Sequence, residues 1–388
     1  MSSKLKAKLA FTNIGAVYVL LVIIVIFTIW IPDTFPTWAT AKQILNGNAV
    51  VAMLALSLLI PLSAGVFDLS TAYTATLAGV LLAKLVVAGV PLGLAVVISL
   101  AAALAIGLLN AIVVVVMRVD SFIGTLATGS LILALISWVS HDLTIQDPKL
   151  TGTFLKIGQG TLFGITYPVY YTLIIAGAIW YVLEATATGR RLYATGFNER
   201  AARLAGVRTN RLRFCSLFAS AFIGGVAGIV LTSVIGSGDP TAGPPYLLSA
   251  FAAAFLGATQ LRGGRFNAPG TLIAILLLGT GITGLGLAAE PQWVQNMFTG
   301  VVLIASLAAT GAQRRGTGRA SWWRRRQAEQ EPDNDDQSHG VSPGSDREAA
   351  LTGSQGTQLA GDAGASAPRV TTFNTSPSTS PERGESVS

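Results

Sequence analysis

Between Ile14 and Ala312 the chain is a succession of apolar runs, each near the length that crosses a bilayer. They lie at about 14–31, 49–66, 71–90, 93–117, 121–140, 168–186, 214–235, 246–260, 271–289 and 293–312. A helix needs roughly 20 residues to span the hydrocarbon layer. In lipid, a spanning segment must satisfy its own backbone polar groups, so helices are the economical solution. The expected fold is therefore an all-α polytopic membrane protein with about ten transmembrane helices. The 246–260 run is short and the 49–66 run holds Pro61, so both are candidates for broken or partial crossings. The stretches 49–140 and 214–312 are candidates for an inverted repeat, a common plan in transporters.

Charge supports this reading. Charged residues make up 12% of the chain, against about a quarter in soluble domains. Nine acids lie in the first 312 residues and ten in the last 76. The expected organisation is a cytoplasmic N-terminus over 1–13, a membrane domain over 14–312, and a tail over 313–388. The tail opens with a basic segment holding Trp322, Trp323 and Arg324–Arg326, suited to an anionic leaflet. It continues rich in Ser, Gly, Thr, Pro and acids, a composition expected to stay disordered. One cysteine, Cys215, excludes an internal disulfide. Two histidines, His141 and His339, are too few for a histidine metal site.

Ten crossings put both ends on one side. One side then holds Lys4, Lys6, Lys8, Arg118, the arginines of 190–213, Arg262, Arg265 and the basic segment. The other holds Asp33, Lys42, Asp142, Asp147, Lys149, Lys156, Asp239 and Glu290, with no arginine. Cytoplasmic loops collect Lys and Arg, so both termini read as cytoplasmic, and the positive net charge reads as orientation rather than as a nucleic-acid surface. Ala39-Thr40-Ala41 has the look of a signal-peptidase site, but the apolar run before it exceeds the usual signal length, so an uncleaved first helix is expected.

The segment 187–213 is the least membrane-like part of this domain. It carries seven arginines against one acid, Glu199. Asn198 suits an N-cap, Glu199 the first helical turn, and Gly206 a left-handed stop. Ala201, Leu204 and Ala205 would form one apolar face. A helix of about eight residues is too short to stand alone in water. It needs a surface to pack on, either the membrane or a cytoplasmic partner.

Asp68 is an acid between two apolar spans. An intramembrane carboxylate is a functional-site hypothesis by default, whereas Asp followed by Leu-Ser-Thr is good cap chemistry, and the cap is the favoured reading. A cap at a broken helix can still border a pathway, so Pro61, Ser63 and Asp68 are the candidate translocation residues. Asn110 and Gln260 read as interhelical hydrogen-bonding groups. The stretch LRGGR at 261–265 lacks the Lys-Ser/Thr of a phosphate-binding loop and reads as a turn. No Walker A motif occurs in the chain.

The run TGRRLYATGFNERAARLAGV, from Thr188, resembles the cytoplasmic segment of ribose-type ABC importer permeases, T-x-x-G-R-x-x-Y-A-x-G-x-N-x-x-A-A-x-x-x-G. AGVFDLSTA (64–72), GLLNAIVVVVMRVDSFIGTLAT (107–128) and FLGATQLRGGRFNAPGTLIAILLLG (255–279) resemble further motifs of that family, in order, over roughly 45–312. Ala64, Tyr73, Ala258 and Phe266 stand where the family has glycine, and Ser121 where it has proline. The resemblance implies a permease subunit in a bacterial inner membrane, moving a sugar or similar polar solute inward by alternating access. It implies that Asn198, Glu199, Arg200, Ala201, Ala202, Arg203, Leu204 and Gly206 couple to a separate ATP-binding subunit. The other implied partners are a second permease copy or paralogue and an extracytoplasmic solute-binding protein. No cofactor is implied for this chain beyond ATP on the partner, and no catalytic or metal-ligating residue. The alternatives are an ion-coupled secondary transporter, or an ABC permease for a nucleoside, a signalling furanone or an amino acid. A membrane enzyme is disfavoured, because no cluster of nucleophiles, acids or metal ligands stands out.

Overall fold

A computed structural model describes residues 11–260, 264–288 and 291–308. Expectations for residues 1–10, for Arg262 and Glu290, and for the tail from 313 onward lie outside the described residues. Each of the ten apolar runs falls on a helix. In chain order the helices are α1 (Phe11–Trp30), α2 (Trp38–Gly47), α3 (Ala49–Ser63), α4 (Thr71–Val87), α5 (Leu92–Val116), α6 (Ser121–Ser140), α7 (Thr153–Gln159), α8 (Tyr167–Ala185), α9 (Ala187–Phe197), α10 (Glu199–Leu204), α11 (Thr209–Ile235), α12 (Tyr246–Thr259), α13 (Ala268–Leu287) and α14 (292–308). A small antiparallel hairpin, β1 (Thr161–Leu162) and β2 (Ile165–Thr166), precedes α8.

Five of these helices, α5, α6, α8, α11 and α13, are long and apolar enough to cross a membrane. A sixth crossing arises if α2 and α3, bent by 42° at Asn48, count as one broken span. α4 and α12 are shorter apolar helices, as is α1 over Ala16–Trp30. Among the described residues, five or six helices of this all-α bundle are thus long and apolar enough for a full crossing, against the about ten expected.

α3 is the centre of that bundle. All of its residues except Ile60 are buried, which explains a sequence apolar on every side. Around it pack α11, α12, α8 and α13. α11 also runs along α4 and α5, and small residues let the backbones meet. A Cβ on Gly228 would lie 1.9 Å from the Ala75 carbonyl oxygen, so α4 and α11 touch main chain to main chain there. Phe27 of α1 packs over Gly284 of α13, and Phe298 of α14 over Gly281. The two interhelical amides do what the sequence suggested. Asn110 of α5 donates to Ser70 Oγ at 2.6 Å, and Gln260 Oε1 accepts the Ala16 N–H of α1 at 2.9 Å.

The connections gather at two ends. One end joins residues 64–70, 118–120, 187–208 and 264–267. The other joins 37–48, 88–91, 141–166 and 236–245. Every described arginine lies at the first end, as the charge pattern along the chain requires.

Candidate functional site

The break after α3 is built from its last turn. Pro61 lacks an N–H and its ring crowds the turn before it, so the helix is set to end soon after. Gly65 takes φ +74°, and Val66 N–H closes on the Pro61 carbonyl at 2.9 Å. This is a helix stop through a left-handed glycine. The chain then runs non-helically to α4, and its N–H groups need partners. α6 supplies them: Ser121 Oγ accepts from Phe67 N at 3.1 Å, and Thr125 Oγ1 from Leu69 N at 3.0 Å. Ser121, where the resembling family has proline, is thus an acceptor for the break.

Asp68 is 1% exposed. Its Oδ1 accepts from Ser70 N at 3.1 Å and Ser70 Oγ at 2.7 Å, which makes an Asx turn just ahead of α4. Its Oδ2 accepts from Ser220 Oγ of α11 at 2.8 Å. Two donor chains converge on it. Asn110 feeds one through Ser70, and Thr71, 3.2 Å from Ser220 Oγ, extends the other. Among the described residues no cation pairs with Asp68. Three directed donors occupy its two oxygens instead. The sequence suggested Asp68 as the N-cap of this helix; Ser70 holds that position instead, and Asp68 forms the turn two residues before it and ties the break to α5 and α11. Pro61 and Ser63 are buried as well, and Ser63 Oγ has no hydrogen-bond partner. All three candidate pathway residues are enclosed by this chain.

The 187–213 segment forms two short helices. Thr186 caps α9 by accepting from Gly189 N at 3.2 Å. α9 buries Leu192 and Thr195, and its Tyr193 hydroxyl donates to the Phe266 carbonyl at 2.5 Å. Arg265 lies over the Tyr193 ring. Phe266 itself is buried edge-on against Phe255, so its bulk is absorbed by packing. Asn198 then caps α10, its Oδ1 accepting from Ala201 N at 3.0 Å. Gly206 takes φ +79°. α10 is only six residues long, shorter than the eight expected.

α10 has two unlike faces. Ala202 is buried, and Glu199 reaches back to Arg203 at 2.6 Å and to Arg213 of α11 at 3.0 Å. Ala201, Leu204 and Ala205 face away from the chain, Leu204 at 90% exposure. Arg200 is exposed too, as are Arg190, Arg191, Arg208 and Arg211. The single acid in an arginine-rich segment is thus the fastening of α10 to the bundle.

The structure brings the two sequence-derived sites together at a point that sequence reasoning did not single out. Gly196, near the end of α9, lies on the break. A Cβ there would be 2.4 Å from the Ser63 carbonyl oxygen and 3.0 Å from Gly65 N, and one on Gly65 would be 3.1 Å from Gly196 Cα. Two glycines let the backbones touch. The spacing within either motif carried no sign of this contact.

The family described as branched-chain amino acid transport system / permease component matches residues 40–307. The ribose import permease protein RbsC of Haemophilus influenzae is 30% identical over 292 residues, covering 75% of this chain and 90% of the relative. The ribose import permease protein of Escherichia coli K12 is 33% identical over 294 residues, covering 74% and 90%. The fructose import permease protein FrcC of Rhizobium meliloti is 32% identical over 296 residues, covering 74% and 82%. No solved structure matches the chain significantly. The apolar helices, the arginine-bearing end and the extent of these matches make this a multi-pass membrane protein and a transport subunit, and the chain belongs to the branched-chain amino acid transport system / permease component family.

Proposed function

We propose that the chain is the membrane-spanning permease of an ATP-driven importer for a sugar or similar uncharged polar solute. ATP is hydrolysed on a separate subunit, and the solute arrives on an extracytoplasmic binding protein. A second permease, identical or paralogous, completes the pathway. The chain crosses a bacterial inner membrane ten times; the arginine-bearing end lies inside by the bias of Lys and Arg toward cytoplasmic loops, and both termini are cytoplasmic. The ribose and fructose permeases among the relatives support the substrate class. So does a bundle in which Asp68 is the only charged side chain among the buried described residues.

The observation that carries the reading is α10. Its outer face offers Ala201, Leu204 and Ala205 to nothing in this chain, while its inner face is ion-paired to α11. Such a helix is a handle. An ATPase that grips the outer face moves α10, and with it α9, whose Gly196 bears on the break at 63–65. Displacement there moves α3 and α4 and admits Pro61, Ser63 and Asp68 to the pathway.

The test is reconstitution with the partner ATPase and binding protein. Leu204→Asp, or deletion of 198–206, should abolish ATP-driven uptake and ATPase co-purification while the chain still inserts. Full coupling in Leu204→Asp rejects the docking role. The buried carboxylate of Asp68 is the feature that favours an ion-coupled transporter instead, but both of its oxygens already have donors. Uptake driven by a proton gradient with no ATPase present would decide for that alternative.

A further inference from the structure

Between the inner face of α10 and the bundle lies a cavity of about 390 Å³. Three arginines line it, Arg118, Arg203 and Arg213. They are only partly committed. Glu199 engages one nitrogen of Arg203 and one of Arg213, and Arg213 Nε is enclosed with no hydrogen-bond partner. Arg118 forms no hydrogen bond or ion pair among the described residues, and its backbone is held at φ +59°. That conformation is uncommon for a residue with a side chain, and such a site merits a functional explanation.

The remaining polar groups narrow the ligand. Asn210 and Ser121 line the same cavity, beside Asp120 and Glu199. Asp120 Oδ1 caps α6 by accepting from Phe122 N and Ile123 N, which leaves Oδ2 open. Two carboxylates make a poor cage for a bare dianion. They are good acceptors for hydroxyl groups. Guanidiniums, in turn, match phosphoryl oxygens in a planar, charge-assisted geometry. The volume exceeds what a phosphate alone would fill.

We propose that this cavity binds a phosphorylated polyol, with the phosphoryl group on Arg118 and Arg213 and the hydroxyls on Asn210, Ser121 and Asp120. The chemistry is shared by a soluble sugar phosphate and by a glycerophosphate lipid headgroup. A bound ligand spans α10, the start of α11 and the 118–121 turn, so it holds the 198–206 segment against the bundle. Its consequence rests on the transport reading: occupancy resists the movement of α10 and lowers uptake. A soluble ligand of this class is what phosphoryl transfer to an imported sugar produces, so the site would answer to the product of the next reaction.

The full-length chain, purified alone in phosphatidylcholine nanodiscs, tests binding without any partner. Ribose 5-phosphate, inorganic phosphate and ribose are titrated at constant ionic strength, with Tm and calorimetric heat as readouts. Ribose 5-phosphate should raise Tm saturably, inorganic phosphate should bind more weakly, and ribose should have no effect. Arg118→Gln should weaken binding about ten-fold, the loss expected for one charge-assisted contact, and Asn210→Asp about as much, because it removes an amide donor and sets a third carboxylate beside the phosphoryl group. Both positions are exposed, so the variants should fold. In phosphatidylglycerol nanodiscs, a raised Tm that both variants lose, with no further rise on adding ribose 5-phosphate, assigns the site to the lipid headgroup and supports the same chemistry. Absence of stabilisation in both membranes, or binding indifferent to both variants, overturns the proposal. Because no ATPase takes part, that failure would leave the transport reading standing on its own test.

Discussion

Replacing Gly196 with alanine perturbs the contact between α9 and the break while leaving every polar group in place. The added Cβ would sit 2.4 Å from the Ser63 carbonyl oxygen, about 1 Å short of ordinary van der Waals contact. The opposing atoms are backbone, held by the helix stop at Gly65 and by the Ser121 and Thr125 acceptors. A rotamer change cannot relieve the overlap, so α9 must lift from the break. Forced overpacking of this kind costs about 1–3 kcal/mol. That disfavours the closed contact by roughly 5- to 150-fold. Gly196 is exposed on its other side, so the segment has room to move and the bundle should stay folded. The assay is the ratio of solute accumulated to ATP hydrolysed in proteoliposomes holding the complete importer. Gly196→Ala should keep ATPase co-purification and lose coupling. Gly177→Ala is the control, since a Cβ there meets nothing within 4 Å. A Gly196→Ala importer with the wild-type ratio would refute the idea that this contact transmits motion.

Asp68→Ala removes the acceptor for Ser70 N, Ser70 Oγ and Ser220 Oγ at once; it should cost about 3–5 kcal/mol, read as a large fall in thermal stability in detergent, and a near-wild-type Tm would deny the network its structural weight. Ser121→Pro should be tolerated within about 1.5 kcal/mol, because proline suits the first turn of α6 and only the Phe67 N–H loses its acceptor; a collapse in expression would argue against this. Truncation after Arg326 should leave uptake intact, since the tail's composition gives it no core to contribute; a large loss would assign the tail a role in transport.

Local chemistry made much of this site legible. Asn198 as a cap and Gly206 as a left-handed stop each depend on residues a few positions apart, and each appears in the structure; the cap expected of Asp68 falls two residues later, on Ser70. The departures from the resembling family were legible as positions but not as consequences. Ser121 serves Phe67, 54 residues before it, and Phe266 gives its carbonyl to Tyr193, 73 residues away. The face of α10 formed by Ala201, Leu204 and Ala205 was visible as a spacing. That the chain would leave this face open and bury Ala202 instead was not, since periodicity locates a stripe without saying what covers it.

By itself the sequence determined that the chain would be helical and membrane-embedded and that its described arginines would share one end. Lipid obliges each segment to satisfy its own backbone, and loop charge acts loop by loop. Only the tertiary structure decided that Gly196 would rest on Ser63 and Gly65, that Ser220 would hold Asp68 from 152 residues away, and that one acid would pin α10 to α11. These are meetings between distant segments. Which helix packs against which is settled by the shapes of whole surfaces, and no short window of residues contains them.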